Sequence, residues 1–299
     1  MSLPHKTERE LREAIRINPD FAEAHNNLGV LLAGQGKYHE AEKAFREAIR
    51  INPDDAEAHN NLGILLSDLG DGETDPEKKK QYYQEAEKEY REAIRINPDL
   101  AEAHSNLGIL LKNQGRYAEA EKEYREAIRI NPDDADAHYN LGNLIKAQGR
   151  YSEAEKEYRE VIGIDPDFAK AHYNLGVVLS DLGDKETDPE KKKQYHREAE
   201  KEYREAIRIN PDLAKAHNNL GILLAGQGKY HEAEKAFREA IRINPDFVEA
   251  HFNLGVLLEN QGRYAEARAE LEKAAELYKE QGQYDRAERV RELLNQLPD

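Results

Sequence analysis

The sequence predicts an all-α solenoid of antiparallel helix pairs, and three observations carry that reading. A proline phrase, Ile-Asn-Pro-Asp or a near variant, returns at Pro19, Pro53, Pro98, Pro132, Pro166, Pro211 and Pro245. Its spacing is 34 residues, or 45 in two copies that carry eleven extra residues. The composition is that of helical repeats, with 35% charged residues, 7% aromatic residues and no Trp. A fixed period of this length means units that bury their apolar faces only by stacking on one another.

The elements follow in order. Residues 7–18 form a lone amphipathic half-repeat with Leu11, Ala14 and Ile15 on one face. In the first full unit Asp20 is expected to cap a helix, with Glu23 three residues on completing a capping-box-like pair. Ala24, Leu28, Leu31 and Leu32 give this helix an apolar stripe, and Gly36 ends it with the positive φ that glycine tolerates. Gly29 sits inside the helix at a cost of about 1 kcal/mol relative to Ala, which points to a close helix–helix approach. A second helix starts at Tyr38, presents Ala41, Phe45, Ala48 and Ile49, and stops at Asn52-Pro53.

The same grammar sets repeats at 19–52, 53–97, 98–131, 132–165, 166–210, 211–244 and 245–281 within a single solenoid over 1–299, closed by a capping helix at 282–299. In the long repeats, 53–97 and 166–210, Thr74 or Asp75 caps a helix that opens with Pro76. There the extra residues 76–82 and 189–195 are expected to lengthen the second helix by about 10 Å.

Composition removes several function classes. A net charge of −16 argues against nucleic acid, which needs a basic patch. There is no cysteine, hence no disulfide or thiolate metal site. No run of apolar residues reaches membrane-spanning length and no signal peptide opens the chain, so a cytoplasmic setting is the default. Seven histidines in register (His25, His59, His104, His138, His172, His217, His251) lie one per repeat, too far apart to share a metal, and read as packed rings. The acids Asp71, Glu73 and Asp75 lack the glycine and the bidentate Glu of a calcium loop. No nucleophile–base pair or phosphate loop appears, so neither catalysis nor a cofactor is expected.

Leu28, Gly29, Tyr38, Ala41, Phe45, Ala48 and Pro53, restated in each copy, resemble the tetratricopeptide repeat consensus over essentially the whole chain, with His where that family often has Trp. The resemblance implies a right-handed superhelix whose first helices line a groove for protein or peptide segments. Counting from Ala22, the sixth position is Asn in every repeat: Asn27, Asn61, Asn106, Asn140, Asn174, Asn219 and Asn253. Each amide carries a donor and an acceptor for a peptide backbone, and the column resembles the asparagine ladder of the repeat domain of O-linked N-acetylglucosamine transferase. Asn143, Asn174 and Lys215 also fit three of the five positions of the family's dicarboxylate clamp. Tyr139 and Asn219 replace two of its cations, so a clamp is not expected.

Differences between copies mark the reading positions. Repeats one and six differ only at Phe21/Leu213, Glu23/Lys215 and Val30/Ile222. The second position runs Glu23, Glu57, Glu102, Asp136, Lys170, Lys215, Glu249, and the fifth includes Tyr139, Tyr173 and Phe252. Lys170 and Lys215 put a cation where the helix dipole disfavours it. The leading expectation is an interaction scaffold that grips an extended segment by the Asn column, with the aromatic residues and charges selecting it. The alternative is a structural near-consensus array, engineered or recently duplicated, without a dedicated ligand and self-associating weakly through its ends.

Overall fold

The computed structural model describes residues 7–298, which form helices and no strand. They divide into two compact units, at 7–144 and 145–298. The first holds α1 (Glu8–Ile17), α2 (Ala22–Gly34), α3 (Tyr38–Ile51), α4 (Ala56–Gly72), α5 (Pro76–Ile96), α6 (Ala101–Asn113) and α7 (Tyr117–Ile130). The division falls within α8 (Ala135–Ala147). The second holds α9 (Tyr151–Ile164), α10 (Ala169–Lys185), α11 (Pro189–Ile209), α12 (Ala214–Gly226), α13 (Tyr230–Ile243), α14 (Val248–Asn260), α15 (Tyr264–Glu280) and α16 (Tyr284–Gln296). Among the described residues no helix is long and apolar enough to cross a membrane.

Within each unit consecutive helices pack in pairs, and one pair stacks on the next. First helices also touch one another directly, α2 to α4 and α4 to α6 in one unit, α10 to α12 and α12 to α14 in the other. They therefore form a continuous face within each unit. The contact inside a pair is set by glycine. A Cβ on Gly29 would stand 2.5 Å from the Phe45 ring, and one on Gly108 2.7 Å from Tyr124. Only a residue without a side chain lets these rings lie on the first helix. The pair closes with a glycine turn: Gly36 has φ +74°, the Gly36 amide donates to Ala33, and the Lys37 amide donates back to Leu32 at 2.9 Å.

Helix starts differ from expectation. α2 begins at Ala22, which makes Phe21 the N-cap, and Phe21 offers no acceptor. Asp20 instead turns back through its own amide, which donates to Asn18 Oδ1 at 3.3 Å. A side-chain cap appears where the residue before the helix is itself acidic, as when Asp55 accepts from the Ala58 amide at 3.1 Å. Neither Asp20 nor Glu23 forms a capping box. A capping box does form at α1, where Thr7 and Glu10 bond reciprocally.

The eleven extra residues are shared between both helices of a long pair, not confined to the second. α4 and α10 run 17 residues against 13 in α2, while α5 and α11 run 21 against 14 in α3. The physical reason lies at the tips. Tyr83 donates its hydroxyl to Asp71, and the Tyr83 ring lies 2.6 Å from where a Gly70 Cβ would be, so the two extensions pack on each other. Asp75 then caps α5, accepting from the Glu77 amide at 2.9 Å, with Pro76 at the first helical position. The four residues added to the first helix make about one turn and the seven added to the second about two, so each extension continues the face of its own helix.

Two glycines separate packing from propensity. Gly29→Ala forces the Phe45 ring to move and should destabilise the chain by about 1–3 kcal/mol, as overpacking does. Gly163, inside α9, has open space around its Cβ position. Gly163→Ala should therefore gain up to about 1 kcal/mol of helix propensity. Chemical denaturation of the two variants checks both signs.

Candidate functional site

The face made by the first helices carries the asparagine column. Residues three apart on a helix are neighbours, so Asn27 shares its face with Val30, and Asn219 shares its face with Ile222. Val30 and Ile222 are each 50% exposed. An amide and an apolar side chain thus repeat side by side along each unit. The apolar member, continued by Ile64, Ile109, Val177 and Val256, is absent from the sequence-based set. Its signal was available, because this position is apolar in six of seven repeats with Asn143 as the exception, but it reads as core until burial is known.

The amides are half-spent. Asn61 Nδ2 donates to Asn26 Oδ1 at 3.1 Å, Asn106 Nδ2 to Asn60 Oδ1 at 3.1 Å, and Asn253 Nδ2 to Asn218 Oδ1 at 3.0 Å. Asn219 Nδ2 reaches the Tyr173 hydroxyl at 3.4 Å. In each case the sixth position ties its repeat to the fifth position of the repeat before. Among the described residues the Oδ1 atoms of Asn61, Asn106 and Asn253 have no bonding partner. What each of these amides keeps for a visitor is its acceptor oxygen and the second of its two N–H donors.

The remaining residues are placed as follows. Asn27, Tyr139, Asn140, Asn143, Tyr173 and Phe252 are half-buried, and Asn174 is 6% exposed. Tyr173 leans on Tyr203 with ring centroids 6.2 Å apart. Lys170 and Lys215 are exposed at the starts of α10 and α12, as Glu23, Glu57, Glu102 and Asp136 are on their helices. Phe168 and Leu213 precede those helices as N-caps without a side-chain acceptor, so a Glu in place of either lysine would complete no capping box. Asn143 falls in the first unit, Asn174 and Lys215 in the second.

A polar cluster in the second unit was not foreseen. Lys146 Nζ donates to Asn174 Oδ1 at 2.8 Å. Burial pushes the Lys146 amine down, and burial pushes the nearby Asp181 carboxyl up. Beside it a hollow of about 480 Å³ is lined by Asp181, Asp184, Lys192, His196, Asn219 and Ile222. His196 Nε2 stands 3.1 Å from Asp184. Nothing in the sequence links these residues, because α10, α11 and α12 bring them together from three helices.

The histidines face away from the column. His25 and Asn27 are two positions apart, about 200° around the helix. In each repeat the histidine Nε2 meets the carbonyl of the proline six residues earlier, at 2.9–3.1 Å. A carbonyl only accepts, so Nε2 carries a hydrogen. Nδ1 can also meet a carboxylate: His59 with Glu89 at 2.5 Å, His104 with Glu123 at 2.7 Å, His172 with Glu202 at 2.6 Å and His251 with Glu270 at 2.6 Å. Among the described residues no group of three or more His, Asp or Glu is arranged to hold a metal ion.

Family models described as tetratricopeptide repeat match residues 22–55, 44–84, 106–167, 139–188 and 219–281, and one described as TPR repeat matches 77–115 and 192–228. Among solved structures, pilF of Pseudomonas aeruginosa superposes with a TM-score of 0.62 at 19% identity, covering 82% of this chain and 97% of its own. YrrB, described as a TPR protein with an unusual peptide-binding site, gives 0.51 at 22% identity, covering 70% and 97%. A thermophilic TPR protein in Thermus thermophilus gives 0.52 at 26% identity, covering 64% and 98%. No curated protein sequence matches the chain.

These imidazole–carboxylate pairs tie stability to pH. Burial alone would push these histidines down, but the hydrogen bond to the Glu carboxylate, with that to the proline carbonyl, prevails and holds them above the ordinary 6.5. A group raised in the folded state contributes fully below its unfolded pKa and loses that contribution as pH climbs through the folded value. The thermal midpoint should therefore fall as pH rises from about 6.5 toward the raised folded values. Glu202→Ala should cost about 1–3 kcal/mol at pH 6 and flatten the profile. Thermal unfolding across this pH range reads both effects.

Proposed function

The chain belongs to the tetratricopeptide repeat family, and we propose that it is a protein-interaction scaffold that receives an extended peptide segment along the face of its first helices. One observation carries the proposal. At Asn61, Asn106 and Asn253 one N–H of the amide is tied to the preceding repeat and the oxygen is left over, beside half-exposed apolar side chains. An extended backbone presents unpaired N–H groups, and a row of fixed acceptors is what it needs. Because the inter-repeat bond already holds the amides, little side-chain entropy is lost on binding, as in other preorganised sites. YrrB, whose fold is similar, is described as having a peptide-binding site, which is consistent with this use.

Charge gives each unit its preference. Glu23, Glu57, Glu102 and Asp136 line the first, which suits basic side chains, while Lys170 and Lys215 open two first helices of the second, which suits acidic ones. Tyr139, Tyr173 and Phe252 supply ring surface at the fifth position. No residue set for catalysis stands behind a rival enzymatic reading.

Screening an array of extended peptides against the purified chain tests the proposal. Ile222→Glu should weaken cognate peptides while leaving stability within about 0.5 kcal/mol, since half the side chain is already in water. Unchanged binding in this variant would remove the face from consideration. Lys170→Glu with Lys215→Glu should weaken acidic segments about three- to tenfold, each exposed pair contributing at most about 1 kcal/mol. The same double variant should flatten their salt dependence. If it binds acidic and basic segments as the parent does, the lysines select nothing.

A further inference from the structure

Repeats one and six break the imidazole–carboxylate pattern in the same way. At the position of Glu89, Glu123, Glu202 and Glu270 they carry Ala44 and Ala236. The consequence is visible at the histidines. His59, His104, His138, His172 and His251 are 6–8% exposed, whereas His25 and His217 are only half-buried. The missing side chain uncovers the ring. Each of the two keeps its Nε2 bond, to the Pro19 carbonyl at 2.9 Å and the Pro211 carbonyl at 3.0 Å. Nδ1 has no partner among the described residues. Around His25 the vacated space joins a cleft of about 480 Å³ floored by Ile15, Leu28, Leu32 and Ala44.

We propose that His25 and His217 are the anchors of two carboxylate-binding sites, each built to take an aliphatic carboxylate in the place that a glutamate of the chain itself fills in other repeats. The other repeats are the template. There a two-carbon stem lies over the apolar floor and its carboxylate meets Nδ1, and a visiting carboxylate on a short apolar stem restores both contacts. The charges around the cleft allow this. Arg12 and Arg16 of α1 and Lys43 of α3 face it, opposed by Glu40 and Glu47 of α3. Acids at the position of Glu47 do not keep a carboxylate out, because Glu92, Glu126 and Glu205 act on His59, His104 and His172 while those pairs are made. Since Nε2 already holds a hydrogen, Nδ1 donates only when the ring takes up a proton, so binding brings one proton with it.

The test follows individual histidines by NMR titration of the full chain in butyrate, with butyramide as the neutral isostere and chloride at matched ionic strength. The His25 and His217 midpoints should move up by about one pH unit at saturation, as a charge partner commonly does. The surface residues His39 and His231 should stay put. Ala44→Glu with Ala236→Glu should abolish the response by filling both sites from within. Glu123→Ala should create a third responsive ring at His104, an independent readout should the first variant fold poorly. A second arm with N-acetylglutamate α-amide tells a site for free acids from one for a partner's glutamate side chain, and a response to either probe supports the carboxylate site. No movement at His25 and His217, equal movement with chloride, or a response that survives Ala44→Glu with Ala236→Glu overturns it, the last assigning the effect to the rim arginines.

Discussion

Each helix pair depends on how near one ring can come to the backbone of its partner helix. Phe45, Tyr90, Tyr124, Tyr203 and Phe237 lie where a Cβ of Gly29, Gly63, Gly108, Gly176 or Gly221 would stand. These rings are buried to within 2% exposure. The first helix gives up about 1 kcal/mol of helix propensity for each glycine and recovers more by close packing. Leu271 takes the ring's place against Gly255 near the end of the array, where a smaller branched side chain keeps the same approach. With that spacing fixed, the positions of the histidine, the asparagine and the turn glycine all follow.

Around this core the outer charges form a seam that crosses repeats. Arg46 reaches Glu85 at 2.7 Å, Arg159 reaches Glu198 at 2.7 Å and Arg238 reaches Glu266 at 3.1 Å, each also holding a carboxylate on its own helix. The half-buried Glu87 lies between Arg91 and Arg116; burial would raise its carboxyl, but the two guanidiniums prevail and hold it low. Exposed pairs are individually weak, and what these contribute is register, because each connects equivalent positions of neighbouring repeats. The asparagine bonds do the same on the opposite face. Stacking is thus specified twice, by charge outside and by amide inside.

Much of this was legible in the sequence because the physics repeats with the residues. Gly29 announced a close approach, Gly36 a left-handed turn and Pro53 a helix stop, and each is where periodicity put it. What escaped was one step removed from the local pattern. Whether Asp20 or Phe21 caps α2 depends on a single residue of helix onset, which periodicity does not resolve. The asparagines were visible as a column, but that each donates one N–H to Asn26, Asn60 or Asn218 depends on how repeats stack. The cluster of Lys146, Asn174 and Asp181 combines positions that differ between repeats, so repetition could not reveal it.

The three-turn extensions have a consequence for how such a chain can change. Every long pair closes on itself at the end away from its proline stop. The growth in α4 with α5, and in α10 with α11, lies at the closed end and is held by its own contacts, Tyr83 with Asp71 in one and His196 with Asp184 in the other. Those two contacts already differ in chemistry, although the repeats beneath them keep the same proline stop and the same glycine–aromatic contact. The fingertip is therefore a part of the repeat where heredity can recast surface in whole helical turns, and in the second unit that surface already reaches the neighbours, with Lys185 over the Tyr151 ring of the repeat before.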